Sequence, residues 1–151
     1  MKLLKKYGFA VVMVLAICGF AAFNGMGFLS KTASESEYVY DGEPEIIAAT
    51  FSSAWCSACK ILEPKLAQVA PEFANKPVKF VKLDFSLGQG SGPAEIAAEN
   101  NFSSVYEKYK GGTGFTLLLD ADSGEIVDQL TVKLSADEMK QVLKNSIQQV
   151  S

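Results

Sequence analysis

Cys56 and Cys59 stand two residues apart at the junction of two segments with different periodicity, and that junction restricts the fold more than any other feature. Before it lies Ile46–Ser52, an apolar run rich in strand formers that reads as a buried central strand. After it, Ile61, Leu62, Leu66, Val69, Ala70 and Phe73 recur at three- and four-residue spacing. This pattern predicts a helix over residues 56–73, kinked by Pro64 and shortened by Pro71. The cysteines therefore fall at a helix N-terminus, where free amide groups and the positive end of the dipole favour a thiolate on the first of them. Cys56 is the candidate nucleophile. Cys59, one turn on, can attack the mixed disulfide that Cys56 forms with a substrate, releasing the reduced substrate and closing an intramolecular disulfide. The same two thiols can run the cycle backwards.

Other chemistries are restricted by what the chain lacks. It has no histidine, which excludes Ser-His and Cys-His nucleophile systems and every histidine-ligated metal site. One Cys-x-x-Cys supplies two soft ligands where zinc wants four, so no metal is expected. A purely structural disulfide is the bland alternative, but a loop this small restrains the unfolded chain little. The third cysteine, Cys18, lies in an apolar run and reads as a buried thiol. A net charge of -3 offers no broad basic footprint, and nucleic acid is not an expected partner. At 151 residues, one ordinary domain is the expectation.

The ends of the chain differ in character. Lys2, Lys5 and Lys6 precede a stretch without any charge over residues 7–29, long enough to cross a membrane as a helix. Residues 1–29 are therefore read as a membrane anchor, or as a signal segment if cleaved, residues 30–37 as a polar linker and residues 38–151 as the domain. The positive-inside bias puts the domain outside the cytoplasm, single-pass on the periplasmic side of an inner membrane, or free in the periplasm after cleavage. Beyond the first helix, strands are predicted over residues 78–85, 115–119 and 126–132, the last two joined by a hairpin turn at residues 120–124. Helices are predicted over residues 94–100 and 103–109. Ser135 with Glu138 marks a capping box for a final helix bearing Met139, Val142, Leu143 and Ile147 on one face.

The run Phe51-Ser52-Ser53-Ala54-Trp55-Cys56-Ser57-Ala58-Cys59-Lys60-Ile61-Leu62-Glu63-Pro64 resembles the thioredoxin superfamily, and the likeness continues in order to the last helix. It implies an α/β fold with a central mixed sheet flanked by helices, the dithiol lying at the carboxyl end of a parallel strand. It implies that Trp55 shields the dithiol and contacts partners, that Lys60 lies on the positive side of the site, and that Lys82 approaches the resolving thiol from the next strand. Exposed packing for Trp55 and solvated surface for the lysines are the alternatives. Phe115 and Thr116 fall where the family's substrate groove lies.

Two departures stand out. Thr50 occupies the place of the family's buried acid, six residues before the first cysteine, and Phe115 that of its cis-proline, so the Gly114-Phe115 bond is expected to be trans. Residues 85–93 are expected to leave the sheet at the dithiol end, as a partner-facing loop or as a tolerated insertion. The reading is an extracytoplasmic thiol-disulfide oxidoreductase that needs no cofactor beyond the redox-active Cys56-Cys59 pair. Its partners would be protein thiols or disulfides and a membrane thiol electron donor. A binding or assembly module with little turnover, and a soft-metal carrier of Cu(I), are the alternatives.

Overall fold

The computed structural model describes Tyr40, residues 42–86 and residues 91–151. The expected membrane or signal segment, the expected linker and Cys18 lie outside the described residues. Among the described residues, no helix is long and apolar enough to cross a membrane.

The chain alternates strand and helix: β1 (Ile46–Ser52), α1 (Cys59–Val69), a 3-10 turn (Ala70–Phe73), β2 (Val78–Asp84), α2 (Ser91–Glu99), α3 (Ser103–Tyr109), β3 (Phe115–Asp120), β4 (Ile126–Thr131) and α4 (Ala136–Val150). The helix expected over residues 56–73 begins only at Cys59 and tightens into the 3-10 turn at Ala70, where Pro71 cannot donate to the α-helical ladder. Helix α2 starts three residues earlier than expected, at Ser91. Pro93 is tolerated there because amide groups in a first turn have no intrahelical partner to lose.

The sheet runs β2-β1-β3-β4. Strand β1 is parallel to β2 and antiparallel to β3, so the sheet is mixed, with β1 hydrogen-bonded on both edges. All seven residues of β1 are buried. Its alternating side chains feed two cores, as the pleat requires. Ile46 and Ala48 pack with Leu62, Leu66 and Val69 of α1 and Met139 and Leu143 of α4. Ile47, Ala49 and Phe51 pack on the other face with Ala97, Phe102, Tyr106 and Phe85. Ile61, expected on the apolar face of the first helix, is instead 54% exposed. The hairpin between β3 and β4 is made by Asp120, whose carboxylate accepts from the amides of Asp122 and Ser123, and by Gly124 at a φ of 70°. The capping box forms as expected, with Ser135 accepting from the Glu138 amide and the Glu138 carboxylate accepting from the Ser135 amide.

Thr50 and Thr116 face one another across β1 and β3, 7% and 0% exposed, and their hydroxyls share a 2.8 Å hydrogen bond. Each is the polar partner of the other inside apolar surroundings. Replacing one alone by Val strands the remaining hydroxyl, and each single variant is expected to lose about 1–3 kcal/mol. The double Val variant should lose less than the sum of the two, which denaturant unfolding of the four proteins measures.

Candidate active site

Beyond Ser52 the backbone leaves the sheet in a turn closed by the Cys56 amide, which donates to the Ser53 carbonyl at 3.1 Å. Helix α1 then begins on Cys59. Its N-cap residue is Ala58, which has no side chain able to cap. The Cys56 sulfur fills that role, accepting from the Cys59 amide at 3.1 Å. A sulfur so placed meets a free amide and the positive end of the helix dipole, and both favour its thiolate. Cys56 and Cys59 are disulfide-bonded with Cα atoms 5.3 Å apart. Cys56 is half-buried, whereas Cys59 is only 3% exposed. The outer sulfur can be reached by a substrate and the inner one is shielded.

The pair lies against the end of β1, the Phe51 carbonyl being 3.9 Å from the Cys59 sulfur and accepting from the Gly114 amide at 2.8 Å. Gly114 has φ of 94°, and a Cβ there would come within 2.7 Å of the Ala58 Cβ and 3.4 Å of the Cys56 sulfur. Only a residue without a side chain fits against the dithiol in this conformation.

Around this centre the expected residues take distinct places. Trp55 is 69% exposed and immediately precedes Cys56. Ile61, two residues beyond Cys59, is a second exposed large apolar side chain near the dithiol in sequence. Lys60 is exposed on the first turn of α1. The Lys82 amine meets the Glu63 carboxylate at 3.0 Å, and the same Glu63 oxygen accepts from the Ser52 hydroxyl. Phe115 joins β3 through a trans bond, and its ring stacks on Phe51 at 4.9 Å and meets Tyr109 edge-on at 6.1 Å. Its side chain thus belongs to the second core. Thr116 is fully buried against Thr50, and its strand is paired with β1 on one edge and β4 on the other.

The segment after β2 starts against the dithiol loop. The Phe85 amide donates to the Ser52 carbonyl at 2.9 Å, and the Ala54 amide donates to the Ser86 hydroxyl at 2.8 Å. That hydroxyl donates in turn to the Asp84 carboxylate. This bond, more than Lys82 nearby, holds the Asp84 carboxyl below the ordinary carboxylate range. Residues 87–90 lie outside the described residues. Among the described residues no group of three or more Cys, Asp or Glu is placed to hold a metal ion.

Sequence reasoning passed over Ser52, Glu63 and Gly114. Glu63 was legible in principle, since it is four residues after Cys59 and hence on the same face of any helix they share. Nothing in the sequence marks Gly114 apart from its neighbours Gly111 and Gly112; only the fold brings it to the sulfur.

The thioredoxin family model matches residues 29–95. A thioredoxin from Haemophilus influenzae is 39% identical over 54 residues, 36% of this chain and 49% of the relative. Thioredoxin H8 of Arabidopsis thaliana is 37% identical over 43 residues, 28% of each protein. The matched stretches thus span at most about half the length of these relatives. Among solved structures, StoA from Bacillus subtilis aligns at 17% identity and a TM-score of 0.47, covering 68% of this chain and 85% of that one. A mutant thioredoxin from Halobacterium salinarum aligns at 19% identity and a TM-score of 0.45, covering 69% and 76%.

Gly114→Ala adds a methyl group into the dithiol and a positive φ that side chains resist. It is expected to destabilise the oxidised protein by about 1–2 kcal/mol and to slow alkylation of Cys56 in the reduced protein. Urea unfolding and timed alkylation read by peptide mass check the two effects.

Proposed function

We propose that this chain, a member of the thioredoxin superfamily, is a thiol-disulfide oxidoreductase that exchanges electrons with protein cysteines through Cys56 and Cys59. One observation carries the reading: an accessible sulfur on the first amide of a helix, disulfide-bonded to a buried sulfur one turn on. In the reducing direction the Cys56 thiolate attacks a substrate disulfide, forming a mixed disulfide and expelling one substrate thiolate. Cys59 then loses its proton and attacks Cys56. The second substrate thiolate leaves, both expelled thiolates take up protons, and the two electrons gained by the substrate are those lost as the enzyme disulfide closes. The exposed Trp55 next to Cys56 offers a large apolar contact at the reacting cysteine, which suits a protein substrate better than a small charged one.

The extracytoplasmic placement and the membrane tether belong to the same proposal. Their support is the lysine-led, uncharged stretch over residues 7–29. Ser57 and Ala58 between the cysteines favour a reductase or a mild exchanger over a strong oxidant, because no histidine is present there to stabilise the reduced thiolate further. A reductase in an oxidising compartment needs a membrane thiol donor to regenerate its dithiol.

Insulin disulfide reduction with dithiothreitol as donor tests the activity. Cys56→Ser should abolish it, and Cys59→Ser should trap the mixed disulfide with substrate as a covalent adduct visible on a non-reducing gel. A protein that merely binds partners would keep them in Cys56→Ser and show no turnover in the wild type. The reduction potential of the pair, set by equilibration against glutathione, is expected near the roughly -270 mV of a reductase; a value near roughly -120 mV would reverse the direction of electron flow.

A further inference from the structure

Resolution of the mixed disulfide requires Cys59 to lose a proton while buried, and burial in apolar surroundings opposes formation of a thiolate. The position on β1 where a carboxylate could have served is Thr50, whose hydroxyl is engaged with Thr116. Among the described residues, a carboxylate on the same helix as Cys59 is that of Glu63. It follows Cys59 by four positions on α1, so their side chains are neighbours on one helix face, with Cβ atoms about 5–6 Å apart. Helical side chains lean toward the N-terminus, which carries the carboxylate of Glu63 back toward the cysteine. Its hydrogen bond from Ser52 places the carboxylate at the end of β1: Ser52 is the last residue of that strand and directly follows Phe51, whose carbonyl lies 3.9 Å from the Cys59 sulfur.

The charged neighbours and the exposure of Glu63 agree with this placement. The charged groups around Glu63 are Lys82 from β2, in contact at 3.0 Å, Asp84 two residues further along β2, and Lys60 three positions back on α1. Strand β1 contributes the Ser52 hydroxyl, with Thr50 lining the same cleft. The carboxylate is held by Lys82 yet is partly exposed, so a proton it receives has a path to solvent. A cleft of about 220 Å³ with a mostly apolar lining, bounded by Thr50, Glu63, Leu66, Phe80 and Lys82, opens beside the carboxylate.

The geometry points to Glu63 as the proton-relay residue for Cys59, held by Ser52 and Lys82 and standing in for the acid that Thr50 is not. The inference rests on the disulfide-exchange reading above. In the step it serves, the Cys59 thiol gives its proton to the Glu63 carboxylate, directly or through one water, as Cys59 bonds to the Cys56 sulfur and the substrate thiolate departs. Glu63 then releases the proton to solvent. No electrons pass through the carboxylate.

Ellman's disulfide separates the two half-reactions in the reduced full-length protein. The first nitrothiobenzoate is expelled when Cys56 attacks, the second when Cys59 resolves the adduct, and stopped-flow absorbance follows both. In Glu63→Gln the first phase is expected to keep its wild-type rate, which also shows that the variant is folded. The second phase should slow about tenfold or more near pH 6–7. The deficit should close above about pH 9, where a thiol ionises without assistance. An unchanged second phase, or one slowed by the same factor at every pH, would overturn the assignment in favour of a merely structural Glu63. A wild-type protein that completes both phases yet reduces no protein disulfide would instead sink the oxidoreductase reading.

Discussion

Strand β1 is paired on both edges and buried on both faces, so its backbone is the most constrained in the domain. Such a strand cannot drift, and whatever leaves its carboxyl end inherits a fixed origin. The reacting centre uses this directly. The Phe51 carbonyl holds the Gly114 amide and abuts the Cys59 sulfur, the Ser52 carbonyl holds Phe85, and the Ser53 carbonyl closes the turn that presents Cys56. Three successive carbonyls at the end of one strand thereby locate the dithiol, the strand opposite it and the segment after β2. Precision at the sulfurs is a property of the sheet, and the cysteine loop needs little rigidity of its own.

That dependence explains what could be read from the sequence. The strand boundaries of β1, the span of α3 and the capping box of α4 follow from local pattern, because apolar runs, turn residues and Ser-x-x-Glu act over a few positions. The dithiol was legible for the same reason: its spacing and the helix after it are adjacent in sequence. Ile61 was misplaced because a three-and-four periodicity marks a stripe without fixing its edge, and Ile61 lies just outside the stripe that meets β1. The contacts of Gly114 and the ion pair of Lys82 depend on which strands lie side by side, and no local rule contains that information.

Phe115 shows how one substitution redistributes work within the site. An aromatic ring in this position enters the second core, where Phe51, Phe85, Tyr106 and Tyr109 already form a chain of stacked and edge-on contacts. Packing of this kind fixes the start of β3 through burial, while the bare backbone of Gly114 faces the Cys56 sulfur. Support and access are thus divided between neighbouring residues: the ring anchors the strand from within, and the glycine leaves the outer sulfur uncovered.

The same division bears on where an acid can sit. At Thr50 a carboxylate would stand on a buried strand beside Leu66 and Ala70, and taking a charge out of water at such a place costs several kcal/mol unless it is paired. On α1, one turn beyond Cys59, the carboxylate of Glu63 keeps about two fifths of its side chain in contact with solvent and has a lysine against it. Desolvation there is partial, and the ion pair needs to offset only that part. A hydroxyl pair can then fill the strand position at no electrostatic cost, each threonine serving as donor or acceptor for the other. Moving the charge from strand to helix separates two demands that conflict at Thr50: a core that must stay apolar to hold β1 in place, and a buried thiol that must give up a proton.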